Sequence, residues 1–393
     1  MKQSKNRVYF DYNASAPMLD CARQAVIHAM DLAGNASSIH FEGRNKRKIV
    51  EEARARVARS LKANPANVIF MSGATEAAVH ALTPTIRVSG AEKKLSRLYV
   101  SATEHPCVLA GGRFPKDCVS LLRVDRNGVL DMEHLEKTLI LNRDDPESFM
   151  VAVQLANSET GVTQPVSQIA EIVHQHGGYL LVDAVQALGK LDFSLSQTGA
   201  DFMIVSSHKI GGPQGAGALV LANGDCSPLP LLKGGGQESY HRSGTENAAA
   251  LAGFGAACEW HSENMTKIVR ISDLRDSIEE AISTISLEAG NEIAQPVFFG
   301  KSVNRICNTS CFAVAGVRAE TALVSLDLDG ISVSSGSACS SGKVKESHVL
   351  QAMGADNQQM AGALRVSIGW DSTQKEADRF LGAWKTIIGR MAA

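Results

Sequence analysis

Short, uninterrupted apolar runs recur through the first two-thirds of this chain, and they constrain its fold more than any other feature. Strands that are covered by helices on both faces have this composition, because neither face meets water. Between the runs, apolar residues repeat every three or four positions, which is typical of helices. The alternation predicts an α/β fold with a mainly parallel sheet covered by helices. The expected strands include residues 68–71, 98–101, 150–153, 179–182 and 202–205.

The pattern changes near Ser262, where a smaller α+β domain is expected to begin. A helix over residues 268–285 leads to short strand-like segments and then to a closing helix that carries Phe380, Trp384 and Ile388. The short segments are residues 310–315, 331–335 and 364–368.

The composition excludes several classes of protein. The chain has 393 residues and a formal net charge of −2, which argues against a nucleic-acid or polybasic membrane partner. No apolar run approaches the roughly 18 residues of a membrane span, and no signal-peptide core follows the basic first residues. The eight cysteines form no CxxC pair, so reduced thiols and a cytoplasmic enzyme are expected.

A lone lysine, Lys209, follows the 202–205 run and precedes a glycine-rich turn. Open α/β sheets bind their ligands at the carboxyl ends of the strands. A buried ammonium is costly unless it is paired, whereas a buried lysine with a lowered pKa can form a Schiff base with a carbonyl group. This position therefore indicates a pyridoxal-phosphate enzyme.

Asp183 ends the 179–182 strand, where a carboxylate needs a cationic partner. The protonated ring nitrogen of pyridoxal phosphate is such a partner, and a helix N-cap is an equally good alternative. Gln186, three residues later, would then reach the ring hydroxyl.

Two segments are candidates for binding a phosphate. Residues 72–76 (Ser-Gly-Ala-Thr-Glu) join a strand to a helix start, where free N–H groups and the helix dipole attract anions. A plain helix cap is the alternative. Residues 242–245 (Arg-Ser-Gly-Thr) follow three glycines and form a second candidate, for which an ordinary surface loop is the alternative.

Three further side chains have the chemistry of an active site. His105 follows the 98–101 strand and could stack on a flat ring and move protons, unless it is an ordinary loop histidine. Arg365 lies in an apolar strand, where it suits either a substrate carboxylate or a structural ion pair. Cys339 lies among serines and glycines, which indicates an accessible, nucleophilic thiol in a mobile loop.

Taken in order along the chain, these residues resemble the cysteine desulfurases. These are class V aminotransferases of pyridoxal-phosphate fold type I, in the group with a long catalytic-cysteine loop. The likeness runs from the Val-Tyr-Phe-Asp-Tyr-Asn-Ala segment at residues 8–14 to the final helix, and the Ser-Ser-Gly-Ser-Ala-Cys339 motif is its most specific part. The resemblance implies a large cofactor domain over residues 16–261. It also implies a small domain formed by residues 1–15 and 262–393, with the cysteine loop at about 334–345.

The resemblance also implies residue roles. Lys209 would be the Schiff-base lysine, Cys339 the persulfide carrier, and His105 the ring-stacking residue that assists proton transfer. Arg365 and Asn35 would lie at the substrate, and no metal is implied. The other cofactor contacts would be Ala74, Thr75, Ser158, Asp183, Gln186, Ser206, His208 and, from the second subunit, Thr245.

The implied activity is conversion of L-cysteine to L-alanine by a homodimer, with sulfur passed to an acceptor such as an iron–sulfur scaffold protein. A selenocysteine lyase or another β-eliminating pyridoxal-phosphate enzyme, an aminotransferase, and a non-catalytic scaffold are the alternatives. The chain departs from the family's usual motifs at two positions. The family's Gly-Asn-Pro motif is Gly-Asn-Ala in this chain, with Ala36 in place of the proline. The family's Asn-Asn-Glu motif is Asn-Ser-Glu, with Ser158 in place of the second asparagine.

Overall fold

The computed structural model describes residues 7–141, 148–289, 295–335 and 346–392. Cys339 and most of the predicted cysteine loop lie outside the described residues. The helices are α1 Asp20–Asp31, α2 Phe41–Ser60, α3 Ala74–Ala81, α4 Pro106–Leu109, α5 Met132–Leu141, α6 Val166–Gln175, α7 Leu195–Thr198, α8 Ala248–Val269, α9 Ile271–Glu288, α10 Ala319–Leu328, α11 His348–Ala352, α12 Asn357–Gly362 and α13 Gln374–Ala392.

The strands of the described residues fall into three sheets. They are β1 Val8–Tyr9, β2 Val68–Met71, β3 Thr85–Val88, β4 Ala91–Ser101, β5 Val119–Leu122, β6 Ser148–Gln154, β7 Tyr179–Asp183, β8 Phe202–Ser206, β9 Gly217–Leu221, β10 Cys226–Pro228, β11 Val297–Phe298, β12 Thr309–Ala313, β13 Ile331–Ser332 and β14 Leu364–Ser367.

The large sheet has the strand order β10-β3-β4-β6-β7-β8-β9-β2, with β5 paired to β4. Strands β4, β5, β6, β7 and β8 are mutually parallel, as the apolar runs predict. Antiparallel pairs flank this centre, since β9 runs against both β8 and β2. Strands β2, β8 and β9 are buried along their whole length, which explains their uninterrupted apolar sequences.

Two apolar clusters cover the two faces of the large sheet. In one of them α8 packs against α1 and α2, and small residues let the helices approach closely. A Cβ added at Gly255 would stand 2.8 Å from the Cα of Ala53, so only glycine fits between α8 and α2. The other cluster places α3 beside β8 and β9.

The two smaller sheets bring the amino-terminal strand to the later part of the chain. Strand β1 pairs in parallel with β13, and β12 lies between β11 and β14. A third core cluster unites Val8 and Phe10 with Phe312, Phe380 and Trp384. The predicted 268–285 helix is instead two helices that meet at Arg270, because α8 continues to Val269 before α9 begins. Among the helices of the described residues, none is both long and apolar enough to cross a membrane.

Candidate active site

The carboxyl ends of β4, β6, β7 and β8 meet at one edge of the large sheet, because these strands are parallel. Most of the predicted site residues follow directly after those ends. They are His105 after β4, Ser158 after β6, Asp183 and Gln186 at β7, and Ser206, His208 and Lys209 at β8.

Lys209 is half-buried in the short 3₁₀ turn Ser207–Ile210, which follows β8. Its Nζ donates hydrogen bonds to the backbone carbonyls of Asn13 (2.6 Å) and Ala14 (3.0 Å). Burial, assisted by the charge of Arg365, lowers the pKa of this amine to about 8, against the opposing effect of nearby carboxylates. With this pKa, about a tenth of the amine is unprotonated at pH 7, which is the form that acts as a nucleophile or base.

Asp183 is a carboxylate without a cation. It is 8% exposed and accepts a hydrogen bond from the Val185 N–H at 2.9 Å. It forms no ion pair within the described residues. Burial raises its pKa to about 6, while the Val185 hydrogen bond and the charge of Lys209 oppose the rise. A cationic ligand group at this carboxylate would relieve the cost of its burial.

His105 caps α4, since its Nδ1 accepts a hydrogen bond from the Cys107 N–H at 3.2 Å. This contact favours the tautomer with the proton on Nε2, which leaves that N–H for another partner. Burial and the neighbouring charge of Lys209 lower the pKa of His105, so the ring is neutral at working pH. The Cys107 thiol also lies 3.0 Å from the same Nδ1.

The start of α3 offers free N–H groups beside open space. Its N-cap is Gly73, which provides no side-chain acceptor, and a Cβ added there would meet no atom of the described residues within 4 Å. Ala74 and Thr75 form the first helical turn, and Glu76 in the same turn is neutralised by Arg242 at 2.8 Å. Arg242 is therefore a structural ion-pair partner of the helix, as well as a member of the predicted second anion loop.

Ser206 lies beside this helix start, and His208 follows it two residues later. Ser206 is buried and pairs with Gly217 on β9, and a Cβ at Gly217 would stand 2.7 Å from the backbone of Gly73. The Nδ1 of His208 lies 3.3 Å from the Ser15 hydroxyl. Burial, followed by the charge of Lys209, lowers the pKa of His208 to about 4. The histidine is thus a neutral hydrogen-bonding group.

Arg365 is 5% exposed and connects three parts of the chain. Its Nη2 lies 2.6 Å from an Asp11 carboxylate oxygen, and its Nη1 donates to the Ser158 carbonyl at 3.0 Å. The Nε of Arg365 is buried and has no hydrogen-bond partner among the described residues. Ser158 thus contributes its backbone carbonyl, which does not depend on the side chain that differs from the family's usual asparagine.

Two predicted residues do not join this group within one chain. Asn35 is exposed, and its Oδ1 accepts a hydrogen bond from the Ser37 N–H at 2.9 Å. Thr245 lines a cavity of about 160 Å³ beside Ser72 and Gly215, close to the start of α3. Its predicted role across a dimer stays a prediction.

The structure adds three buried residues that the sequence analysis did not single out. The Asn13 carbonyl accepts a hydrogen bond from Lys209, and the Lys190 amine donates one to the Gln186 side chain. Glu104 accepts a hydrogen bond from Gln154 N at 2.6 Å, and burial, with the nearby charge of Asp183, raises its pKa well above the ordinary range. The sequence does contain an indication of Lys190, because it is a lysine in the otherwise apolar stretch that follows Gln186.

Comparison with known proteins agrees with this arrangement. Residues 8–380 match the family model described as "Aminotransferase class-V". A relative from Dictyoglomus turgidum named "Cysteine desulfurase IscS" is 34% identical over 98% of this chain and 96% of its own length. A relative from Archaeoglobus fulgidus named "Cysteine desulfurase IscS 1" is 32% identical over 98% of this chain and 97% of its own length.

Solved structures agree as well. The "NifS-like protein from Rickettsia africae ESF-5" superposes with a TM-score of 0.82 at 28% identity, covering 97% of this chain and 99% of that one. These findings confirm the α/β fold and the resemblance that the motifs indicate. The chain belongs to the aminotransferase class-V family, as a member of its cysteine desulfurase group of pyridoxal-phosphate-dependent enzymes.

Proposed function

We propose that this protein converts L-cysteine to L-alanine and holds the removed sulfur as a persulfide on Cys339. One observation carries the assignment of the site: Lys209, with its lowered pKa, lies within electrostatic reach of a buried Asp183 carboxylate that forms no ion pair within the described residues. An amine and an unpaired carboxylate on neighbouring strand ends suit the aldehyde and the ring nitrogen of pyridoxal phosphate.

The residues present fit this cofactor at both of its ends. The open space beside Gly73 and the N–H groups of Ala74 and Thr75 suit its phosphate, with Ser206 and His208 nearby. Asp183 would hold the protonated ring nitrogen, and Gln186 the ring hydroxyl. Thr245 would complete the phosphate site from a second subunit, and Ser158 and Asn35 are proposed at the cofactor and substrate margins.

The bound cofactor would withdraw electrons from the substrate's α-carbon. Lys209 would hold the cofactor's aldehyde and would take up the α-proton at its Nζ, since a pKa of about 8 lies close to working pH. His105 lies against the site with its proton on Nε2, where it can stack and return a proton. Asp11 and Ser158 take two of the five N–H donors of Arg365, and the remaining donors would bind the substrate carboxylate.

The sulfur step balances without any added oxidant. The Cys339 thiolate attacks the substrate sulfur, so an S–S bond forms while the Cβ–S bond breaks. The electron pair of the broken bond stays on carbon, which takes up a proton and yields alanine. Cysteine and the enzyme thiol thus become alanine and an enzyme persulfide.

Cys339→Ala tests this assignment. The variant should retain bound cofactor and its visible absorption but release no sulfide from L-cysteine in the presence of a thiol reductant. Cys21→Ala, at an exposed cysteine, is the matched control and should release sulfide at the wild-type rate. Mass spectrometry of the wild-type protein after cysteine addition should find one extra sulfur on the Cys339 peptide.

Two outcomes would contradict the proposal. Sulfide release by Cys339→Ala at the wild-type rate would instead indicate β-elimination or a selenocysteine lyase type of reaction. A purified protein that gains no visible absorption with added pyridoxal phosphate would indicate a non-catalytic scaffold.

Finer points of the assignment are also proposals. Residues 16–261 would form the large domain, and residues 1–15 with 262–393 the small one, a division supported by the separate core around β1, β12, β14 and α13. The enzyme would act as a homodimer and pass sulfur to an acceptor such as an iron–sulfur scaffold protein. The seven cysteines of the described residues are all free, which suits a reducing cytoplasm.

A further inference from the structure

A lysine is buried directly behind Gln186. Lys190 is 6% exposed, and its Nζ donates to the Gln186 Oε1 at 2.6 Å and to the Asn13 Oδ1 at 2.9 Å. Both acceptors are neutral amides, and the lysine forms no ion pair with any of the described residues. An apolar side chain would fill this position at lower cost.

The charged groups around this amine explain its state. Burial is the main cause that lowers the pKa of Lys190 to about 7, and the positive charges of Lys209 and Arg365 act in the same direction. The Cys307 thiol opposes them, and its own pKa is raised by burial. Because burying an amine without an ion-pair partner is costly, a role in the site explains the residue better than a contribution to folding does.

The contacts of Lys190 fix the direction of the Gln186 amide. A lysine amine donates here, so the amide oxygen of Gln186 must face it. On the other side, the Gln186 Nε2 donates to the Asn13 backbone carbonyl at 2.9 Å, an atom that can only accept. If the Gln186 amide were flipped, its NH₂ group would face the Lys190 amine and its oxygen would face the Asn13 carbonyl. The contacts therefore select one orientation. The second N–H of Gln186 then remains for a partner in the site.

The same lysine orders the segment around Asn13, which Lys209 contacts. The Asn13 Oδ1 accepts from Lys190 and from the Asn308 Nδ2 at 3.1 Å, while its Nδ2 donates to the Ser158 carbonyl at 3.0 Å. The backbone carbonyl of Asn13 accepts from both Gln186 and Lys209. Lys190 is therefore part of a hydrogen-bond network around Asn13 that borders the site.

We propose that Lys190 is a positioning residue that holds the Gln186 amide with its free N–H directed at the cofactor's ring hydroxyl. This inference rests on the proposed function, because it takes Gln186 as the partner of that hydroxyl. A donor held at the ring oxygen stabilises its ionised form and so lowers the pH at which the lysine-bound cofactor loses its proton.

Spectroscopic titration of the holoenzyme tests this role without measuring turnover. The visible band of the bound cofactor is followed against pH in the wild type, Lys190→Met, Gln186→Leu and the double variant. Lys190→Met should raise the midpoint by roughly half a unit to one unit, which corresponds to one lost hydrogen bond. Gln186→Leu should raise it at least as much, and Lys190→Met should add almost nothing in that background.

Several outcomes would overturn the inference. An unchanged midpoint in Lys190→Met would contradict it. A rise in the midpoint that adds fully to that of Gln186→Leu would also contradict it, because the lysine would then act on the cofactor directly through its charge. Lys375→Met, at an exposed lysine, is the control and should titrate like the wild type. If Lys190→Met does not fold, Lys190→Gln keeps a shorter donor, and its midpoint should rise by a smaller amount. A wild-type protein without any visible band would contradict the proposed function itself.

Discussion

At the scale of single residues, the site is held at an energetic cost. Asp183 is a buried carboxylate whose pKa is raised to about 6. Ionising it in the folded protein without cofactor therefore lowers the free energy of unfolding. The half-buried Lys209 and the buried Lys190 are amines whose pKa values are lowered by loss of solvent, for the same physical reason. Groups in this state are prepared for a ligand that neutralises them.

Replacing Asp183 should therefore stabilise the cofactor-free protein. A carboxyl group with a raised pKa contributes stability below its unfolded pKa and loses it as the pH rises through the folded value. Asp183→Asn should match the wild type near pH 4 and exceed its free energy of unfolding by about 3 kcal/mol above pH 6.

Urea denaturation of the two cofactor-free proteins across this pH window measures the difference. Asp192→Asn changes an exposed carboxyl group that pairs with Lys62 on the surface, and so should not reproduce the gain. A stability difference for Asp183→Asn that is independent of pH would contradict the prediction.

At the scale of elements, the sequence predicts the buried strands well and the antiparallel flanks poorly. The run 68–71 coincides with β2, and the run 202–205 falls within β8, because strands buried on both faces have an unbroken apolar pattern. That pattern does not contain strand direction, so the antiparallel β9 between β8 and β2 could not be predicted from it.

Among the residues of the candidate site, too, some could be predicted from the sequence and others could not. Lys209, Asp183 and His105 could be predicted, since each follows a strand that the apolar runs locate. Asn13 could not, because its contact with Lys190 joins residues 177 positions apart in the sequence, and Lys190 is indicated only as a lysine in an apolar stretch, without its partners. The ion pair between Arg365 and Asp11 was one of two alternatives, and only the fold supplies the partner.

A substitution at the start of α3 can separate an effect on cofactor binding from an effect on the stability of the fold. Gly73 has an extended backbone with φ of 164°, which any residue can adopt, and within the part of the chain that the structure describes its added Cβ would meet nothing within 4 Å. Gly73→Ala should leave the unfolding of the cofactor-free protein unchanged. It should weaken pyridoxal phosphate binding about tenfold, because the methyl group occupies the space proposed for the phosphate.

Gly217→Ala is the opposite case on the facing strand. Its Cβ would stand 2.7–2.8 Å from backbone atoms of Gly73 and Val205, which cannot yield without moving α3 or β8. This variant should lose stability even without cofactor, as measured by thermal unfolding. If Gly73→Ala binds pyridoxal phosphate as tightly as the wild type does, the phosphate does not bind at this helix start.

At the scale of the whole molecule, Arg365 connects the parts of the chain that build the site. Its backbone in β14 exchanges hydrogen bonds with Ser334, and its side chain contacts Asp11 near β1 and Ser158 beyond β6. Asp11 also forms a bridge to Ser367 of the same strand. The amino-terminal segment, the large sheet and the last strand thus meet at one guanidinium.

Removing Asp11 should loosen this junction. Asp11→Ala leaves a buried guanidinium without its anion, so the free energy of unfolding should fall by about 3 kcal/mol. Asp11→Asn keeps an acceptor oxygen and should lose less, which separates the charge from the hydrogen bond. Asp192→Ala removes an exposed pair with Lys62 and should change stability by less than about 0.5 kcal/mol. If urea denaturation gives Asp11→Ala and Asp192→Ala the same small loss, the guanidinium finds other acceptors, and the pair with Asp11 does not hold these segments together.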